Sequence, residues 1–177
     1  MCRILVLCVL AALAMARPGH AQDEPPHTRL VLGLGINIAG GDSLTRAGPG
    51  PAGQLGLIHQ RDKLAFAIRL TSNSSGSEAL SVPVGTGDHF DEFALMAGYS
   101  VYRSEKSQMV LTSGVAYISG ERSNVEFETT IGVPIQLLIS APGGRSGFGL
   151  SLNANLNREE VFGGFTVTYL LGLDPAR

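Results

Sequence analysis

The 177-residue chain has no tryptophan, only two cysteines, and charge on just 16% of its residues. Both cysteines, Cys2 and Cys8, stand at the extreme amino end. Removing an amino-terminal leader takes both away, and the mature chain then has no disulfide framework, thiol nucleophile or cysteine metal site. Charge this far below the ~25% of ordinary soluble domains excludes a normal solvated surface. The 44% hydrophobic content excludes a disordered chain, and 23 glycines without a fixed period exclude a collagen-like one. With 13 Lys and Arg against 15 Asp and Glu, no basic footprint for nucleic acid exists.

The first 21 residues read as a secretory signal peptide. Arg3 supplies a positive start and Ile4–Met15 an uncharged apolar run. Arg17-Pro18-Gly19-His20-Ala21 then breaks any helix and ends on a small residue. A run of about a dozen residues is shorter than the ~20 needed to span a bilayer as a helix. Cleavage is expected after Ala21, with Ala14-Met15-Ala16 as a second site. Residues 22–177 would form one domain, 156 residues (177 less 21) carrying 11 basic and 15 acidic side chains.

That domain alternates with period two. Leu30, Leu32, Leu34, Ile36 and Ile38 face one way, and Val31, Gly33, Gly35 and Asn37 face the other. The pattern recurs over 64–71, 92–102, 109–117, 126–139, 147–156 and 161–171, and a weaker segment at 53–60 completes eight strands. The apolar face is bulky, whereas its alternate is Gly, Ala, Ser, Thr and Asn with few charges. A soluble sandwich would show Lys, Glu and Thr outward. Small residues belong where eight strands curl around a lumen that their side chains just fill, leaving the bulky face for lipid. The expected fold is therefore all-β: a closed, antiparallel, up-and-down transmembrane β-barrel of eight strands. Closure is required because an open edge leaves backbone groups unsatisfied in hydrocarbon. The connectors Ala39–Pro51 and Asn73–Asp88 are long, and Arg61-Asp62 and Ser104–Ser107 are short, so a periplasmic amino end places the long pair outside.

Strand count and pattern over residues 28–173 resemble the OmpA/OmpX-like small outer-membrane barrels of Gram-negative bacteria. Gly164-Phe165-Thr166-Val167-Thr168-Tyr169 is similar to the closing-strand signal of that family, although this chain runs on to Arg177. Without Trp, the interfacial girdle falls to Phe and Tyr. The resemblance implies a monomer in the outer membrane, in contact with membrane lipid and inserted by the barrel-assembly machinery. It implies no cofactor, no metal and no catalytic residue.

Two groups of titratable residues stand out. Arg69, Glu92, Glu126 and Glu128 fall on the inward parity, where one guanidinium among three carboxylates would cross-brace the lumen. Asp88, His89 and Asp91, next to Glu92, form the densest cluster, with residue types suited to a divalent cation or a general base. Its plainer reading is solvated charge at a loop mouth. Asn153, Asn155 and Asn157 form an inward ladder, and Pro134 is expected to mark a bulge or strand end. The function expected is non-enzymatic: structural, interaction or envelope maintenance. The alternatives are a lipid-modifying enzyme on the same barrel and a secreted soluble barrel with an apolar ligand inside.

Overall fold

Alternating sequences of 12 to 16 residues can satisfy their backbone only by pairing on both edges, and here every strand does so. A computed structural model describes residues 27–40, 50–75, 88–104, 107–122, 125–141, 146–158 and 161–173. Residues 1–21, where the leader is expected, lie outside the described residues. The strands are β1 (His27–Gly40), β2 (Gly50–Arg61), β3 (Leu64–Ser75), β4 (Asp88–Arg103), β5 (Gln108–Arg122), β6 (Val125–Ser140), β7 (Ser146–Asn157) and β8 (Val161–Gly172). Each pairs antiparallel with its sequence neighbours, and β8 pairs with β1 to close the barrel. The eight strands expected from the periodicity are all present. The loops shorten relative to expectation, because β2 begins at Gly50 and β3 continues to Ser75.

The register sets the size of the lumen. Partners followed from Val31 through Gly56, Arg69, Ala94, Ala116 and Gly132 lead to Asn157 on β7. In the other direction, through Leu170, they lead to Gly147 of the same strand, ten residues away. Eight strands sheared by ten residues tilt by about 40° around a backbone radius of roughly 8 Å. A twelve-residue strand at that tilt rises about 30 Å, enough for an apolar band ~25 Å tall.

The two faces divide as the alternation demands. Leu32, Leu34, Ile36 and Ile38 point outward, Leu34 with 77% of its surface exposed, while Val31, Gly33 and Asn37 are buried. Among the described residues, 27 large apolar or aromatic side chains are exposed in this way. The inward face is less uniformly small and polar than its sequence suggested. Val31, Ile58, Met96, Val110, Leu138 and Leu170 are buried toward the short-turn end, and Phe90, Ile118 and Phe162 toward the other. Lumenal apolar residues are shielded by the strands around them, so they look like breaks in the pattern but obey the same parity.

Two local departures have physical causes. Tyr102, which alternation from the inward Glu92 would turn inward, is exposed because a bulge between Ser100 and Tyr102 shifts the register and flips the parity of the strand end. Pro134 marks neither a bulge nor an end. It lies buried in mid β6, opposite Asn155, with no register shift beside it. Pairing with β5 lapses between Ser113–Ile135 and Ala116–Gly132, and Ser113 Oγ donates to the Pro134 carbonyl at 2.9 Å. A hydroxyl thus satisfies an acceptor beside the ring that cannot donate.

Glycine is needed where a neighbouring strand's backbone occupies the space of a Cβ. A Cβ on Gly35 would lie 1.9 Å from the Phe165 carbonyl oxygen, and one on Gly164 2.2 Å from that of Ile36. Across the barrel, Gly98 and Gly114 would each meet a backbone oxygen, of Leu111 and Leu95, at 1.9 Å. These pairs pinch the β8–β1 and β4–β5 seams on opposite sides of the ring. Gly98→Ala should therefore destabilise the barrel by about 1–3 kcal/mol in reversible urea unfolding. Gly53→Ala, where an added Cβ meets nothing within 4 Å, should stay within about 0.5 kcal/mol.

Candidate functional site

Inward side chains from opposite strands can meet across a barrel this narrow, and in its middle they form one hydrogen-bonded layer. Arg69 of β3 donates from Nε to Glu92 Oε1 of β4 at 2.9 Å, and its Nη2 bonds the same oxygen. Its Nη1 donates to Asn153 Oδ1 of β7 at 2.7 Å. Asn155 Nδ2 donates to Glu92 Oε2 at 2.6 Å, so both carboxylate oxygens are engaged. Asn153 donates in turn to Gln54 Oε1 of β2 at 3.3 Å, which also accepts from Thr166 Oγ1 of β8 at 2.9 Å. Ser151 Oγ donates to Asn153 Oδ1, and Gln136 Nε2 of β6 donates to Ser151 Oγ at 2.7 Å. One buried ion pair and its amides and hydroxyls thus tie together six of the eight strands.

This layer is closed off on both sides. Toward the short turns lies the apolar group around Val31, Ile58 and Leu138. Toward the other end Phe90 and Phe162 stack with ring centroids 6.5 Å apart. The cavities flanking the layer, one beside Asn73 and Phe162 and one beside Val31 and Leu138, hold about 10 Å³ each, room for one water at most. An open depression of about 970 Å³ is lined by outward side chains such as Leu34, Leu55 and Phe148 together with inward ones such as Gln54 and Thr71.

Of the four inward charges read from the sequence, Arg69 and Glu92 meet. The side chains of Glu126 and Glu128 lie outside the described residues. Gln54, Gln136, Ser151 and Thr166 were not anticipated as partners: each sits at an inward parity position, but which ones share a level depends on the ten-residue shear.

The second cluster is split by the wall. His89 and Asp91 point outward, with Nε2 and Oδ1 3.3 Å apart and both side chains at least half exposed. Phe90 and Glu92 point inward, and the Asp88 side chain lies outside the described residues. Adjacent strand residues face opposite ways, so a run of titratable residues in sequence cannot converge on one ligand. Among the described residues no group of three His, Cys, Asp or Glu could hold a metal ion. His59 is exposed near the short-turn end, its Nδ1 3.0 Å from Thr28 Oγ1.

These features define a class: a closed eight-stranded up-and-down barrel with an apolar outer wall and a filled polar lumen. No protein-family model matches the chain, and no curated protein sequence does. Solved structures do. Neisserial surface protein A (NspA) superposes with a TM-score of 0.64 at 12% identity, covering 84% of this chain and 99% of that one. Ail, the attachment invasion locus protein of Yersinia pestis, gives 0.58 at 9%, covering 85% and 100%. The N-terminal β-barrel domain of Pseudomonas aeruginosa OprF gives 0.51 at 10%, covering 81% and 97%. The fold of this chain is that of the small eight-stranded outer-membrane barrels.

Arg69→Met should lower stability by about 3–5 kcal/mol, because it strands the Glu92 charge in the lumen. The double variant Arg69→Met/Glu92→Leu should recover most of that loss. Urea unfolding of the folded barrel, followed by gel mobility, measures both.

Proposed function

We propose that this chain is a monomeric, non-enzymatic protein of the bacterial outer membrane, with a structural, surface-interaction or envelope-maintenance role. The observation that supports it most is the outer wall. In a soluble barrel binding an apolar ligand, the large apolar residues would converge inside; here Ile131 is 72% and Phe148 73% exposed. Each such side chain left in water forfeits about 1.5–3 kcal/mol of burial. Lipid removes that cost, and closure of the ring leaves no free edge strand to hydrocarbon.

The aromatic residues fit the same setting. Phe66, Tyr99, Phe148 and Tyr169 face outward within a few residues of the short-turn end, and Phe93 and Tyr117 face outward nearer the other. Such placement suits side chains that anchor a wall at its two interfaces. Export through the leader at residues 1–21 and insertion by the barrel-assembly machinery complete this reading. The termini and short turns would lie in the periplasm, and the connectors 41–49 and 76–87 outside the cell. A surface-interaction role draws support from two structural neighbours whose names describe a surface protein and an attachment invasion locus protein.

Fractionation tests the reading. The protein should remain with the membrane pellet through salt and carbonate washes and leave it only in detergent. Unheated, it should migrate faster in SDS gels than the boiled form. Release by buffer alone, without a heat-dependent shift, would overturn it.

A further inference from the structure

The upper boundary of the apolar wall, at the end away from the termini, is uneven. On β1 the outward apolar series runs to Ile38, two residues short of the strand end, and on β8 it reaches the end at Val161. On β3, β4 and β5 it stops at Leu70, Phe93 and Tyr117, five residues short in each case. Above that line the outward side chains turn polar on three adjacent strands in register. Ser72 pairs with Asp91, and Asp91 with Ser119, in one row; Ser74 pairs with His89 in the next. Directly beneath, Leu70–Phe93–Tyr117 and Ile68–Leu95–Val115 form two apolar rows.

We propose that this β3–β5 face is a binding site for a single lipid with a hydroxylated, uncharged saccharide headgroup; the proposal rests on the membrane reading above. An acyl chain lies along the two apolar rows. The headgroup hydroxyls meet the polar rows, donating to the Asp91 carboxylate and exchanging hydrogen bonds with the Ser72 and Ser119 hydroxyls. The His89–Asp91 pair, 3.3 Å apart, holds the carboxylate at the outer surface. The class of headgroup follows from the donor set. Recognition of a phosphate calls for Arg or Lys, whereas the described side chains of these rows offer a carboxylate, three serine hydroxyls and one histidine. The aromatic residues below, Phe93 and Tyr117, supply flat apolar surface against a sugar ring.

The chain contains no tryptophan, so Tyr117→Trp and, on β7 off the β3–β5 face, Phe148→Trp each install a sole tryptophan. Each variant, verified as folded by its heat-dependent gel shift, is reconstituted into phosphatidylcholine vesicles containing either brominated phosphatidylcholine or brominated monogalactosyl diacylglycerol. The galactolipid should quench Trp at 117 about threefold more effectively than the brominated phosphatidylcholine, the factor of roughly one net hydrogen bond, and should show no preference at 148. Adding Ser72→Ala and Asp91→Ala to the 117 reporter should abolish the preference. Equal relative quenching at both positions, or a preference that survives the double substitution, overturns the site. Stronger quenching by brominated phosphatidylglycerol overturns the headgroup class. If brominated phosphatidylcholine quenches neither reporter, the membrane reading falls and this site with it.

Discussion

Closure is the constraint on which everything else depends. Once β8 pairs with β1, no strand has a free edge, and the only variables left are strand number and shear. Eight strands and a shear of ten leave a lumen so narrow that side chains from opposite walls touch. Arg69 can then reach Asn153 across four strands, and Phe90 can stack on Phe162. A wider barrel with the same residues would hold water instead of a network. The narrow section also requires backbone to approach backbone at the pinched seams, where Gly35, Gly164, Gly98 and Gly114 stand.

The lumenal layer is a device for placing charge where no water reaches. Glu92 accepts from Arg69 on one oxygen and from Asn155 on the other, and each amide that helps is itself engaged. A buried pair of this kind is weak evidence of stability by itself, since apolar residues of similar volume often do as well. It does fix which strands stand opposite each other, because a register slip would separate every donor from its acceptor. The apolar groups above and below keep the pair dry, and this strengthens each of its hydrogen bonds.

Much of this was legible in the residues. The alternation located all eight strands, and the bulk of one face against the smallness of the other told which side faces outward. Parity read from sequence assumes an unbroken register, and this misplaced Tyr102. The bulge at Ser100–Tyr102 turned Tyr102 outward, and Pro134 stayed in line because Ser113 compensates its neighbour's carbonyl. The Asp88–Glu92 run looked like one cluster in a linear reading, but the wall of the barrel passes through it. The polar rows Ser72–Asp91–Ser119 and Ser74–His89 went unnoticed because their members lie on three separate strands.

By itself the sequence determined what each residue type can tolerate: period two sets the strands, bulk and the scarcity of charge set the outward face, and glycine sets the places of closest approach. Only the tertiary structure decided which inward residues share a level. That follows from the shear, a property of how the first and last strands meet, and no local stretch of sequence contains it. Arg69 and Glu92 are 23 positions apart in the chain, and Arg69 and Asn153 are 84 apart. They belong to one layer because the barrel closes ten residues out of step.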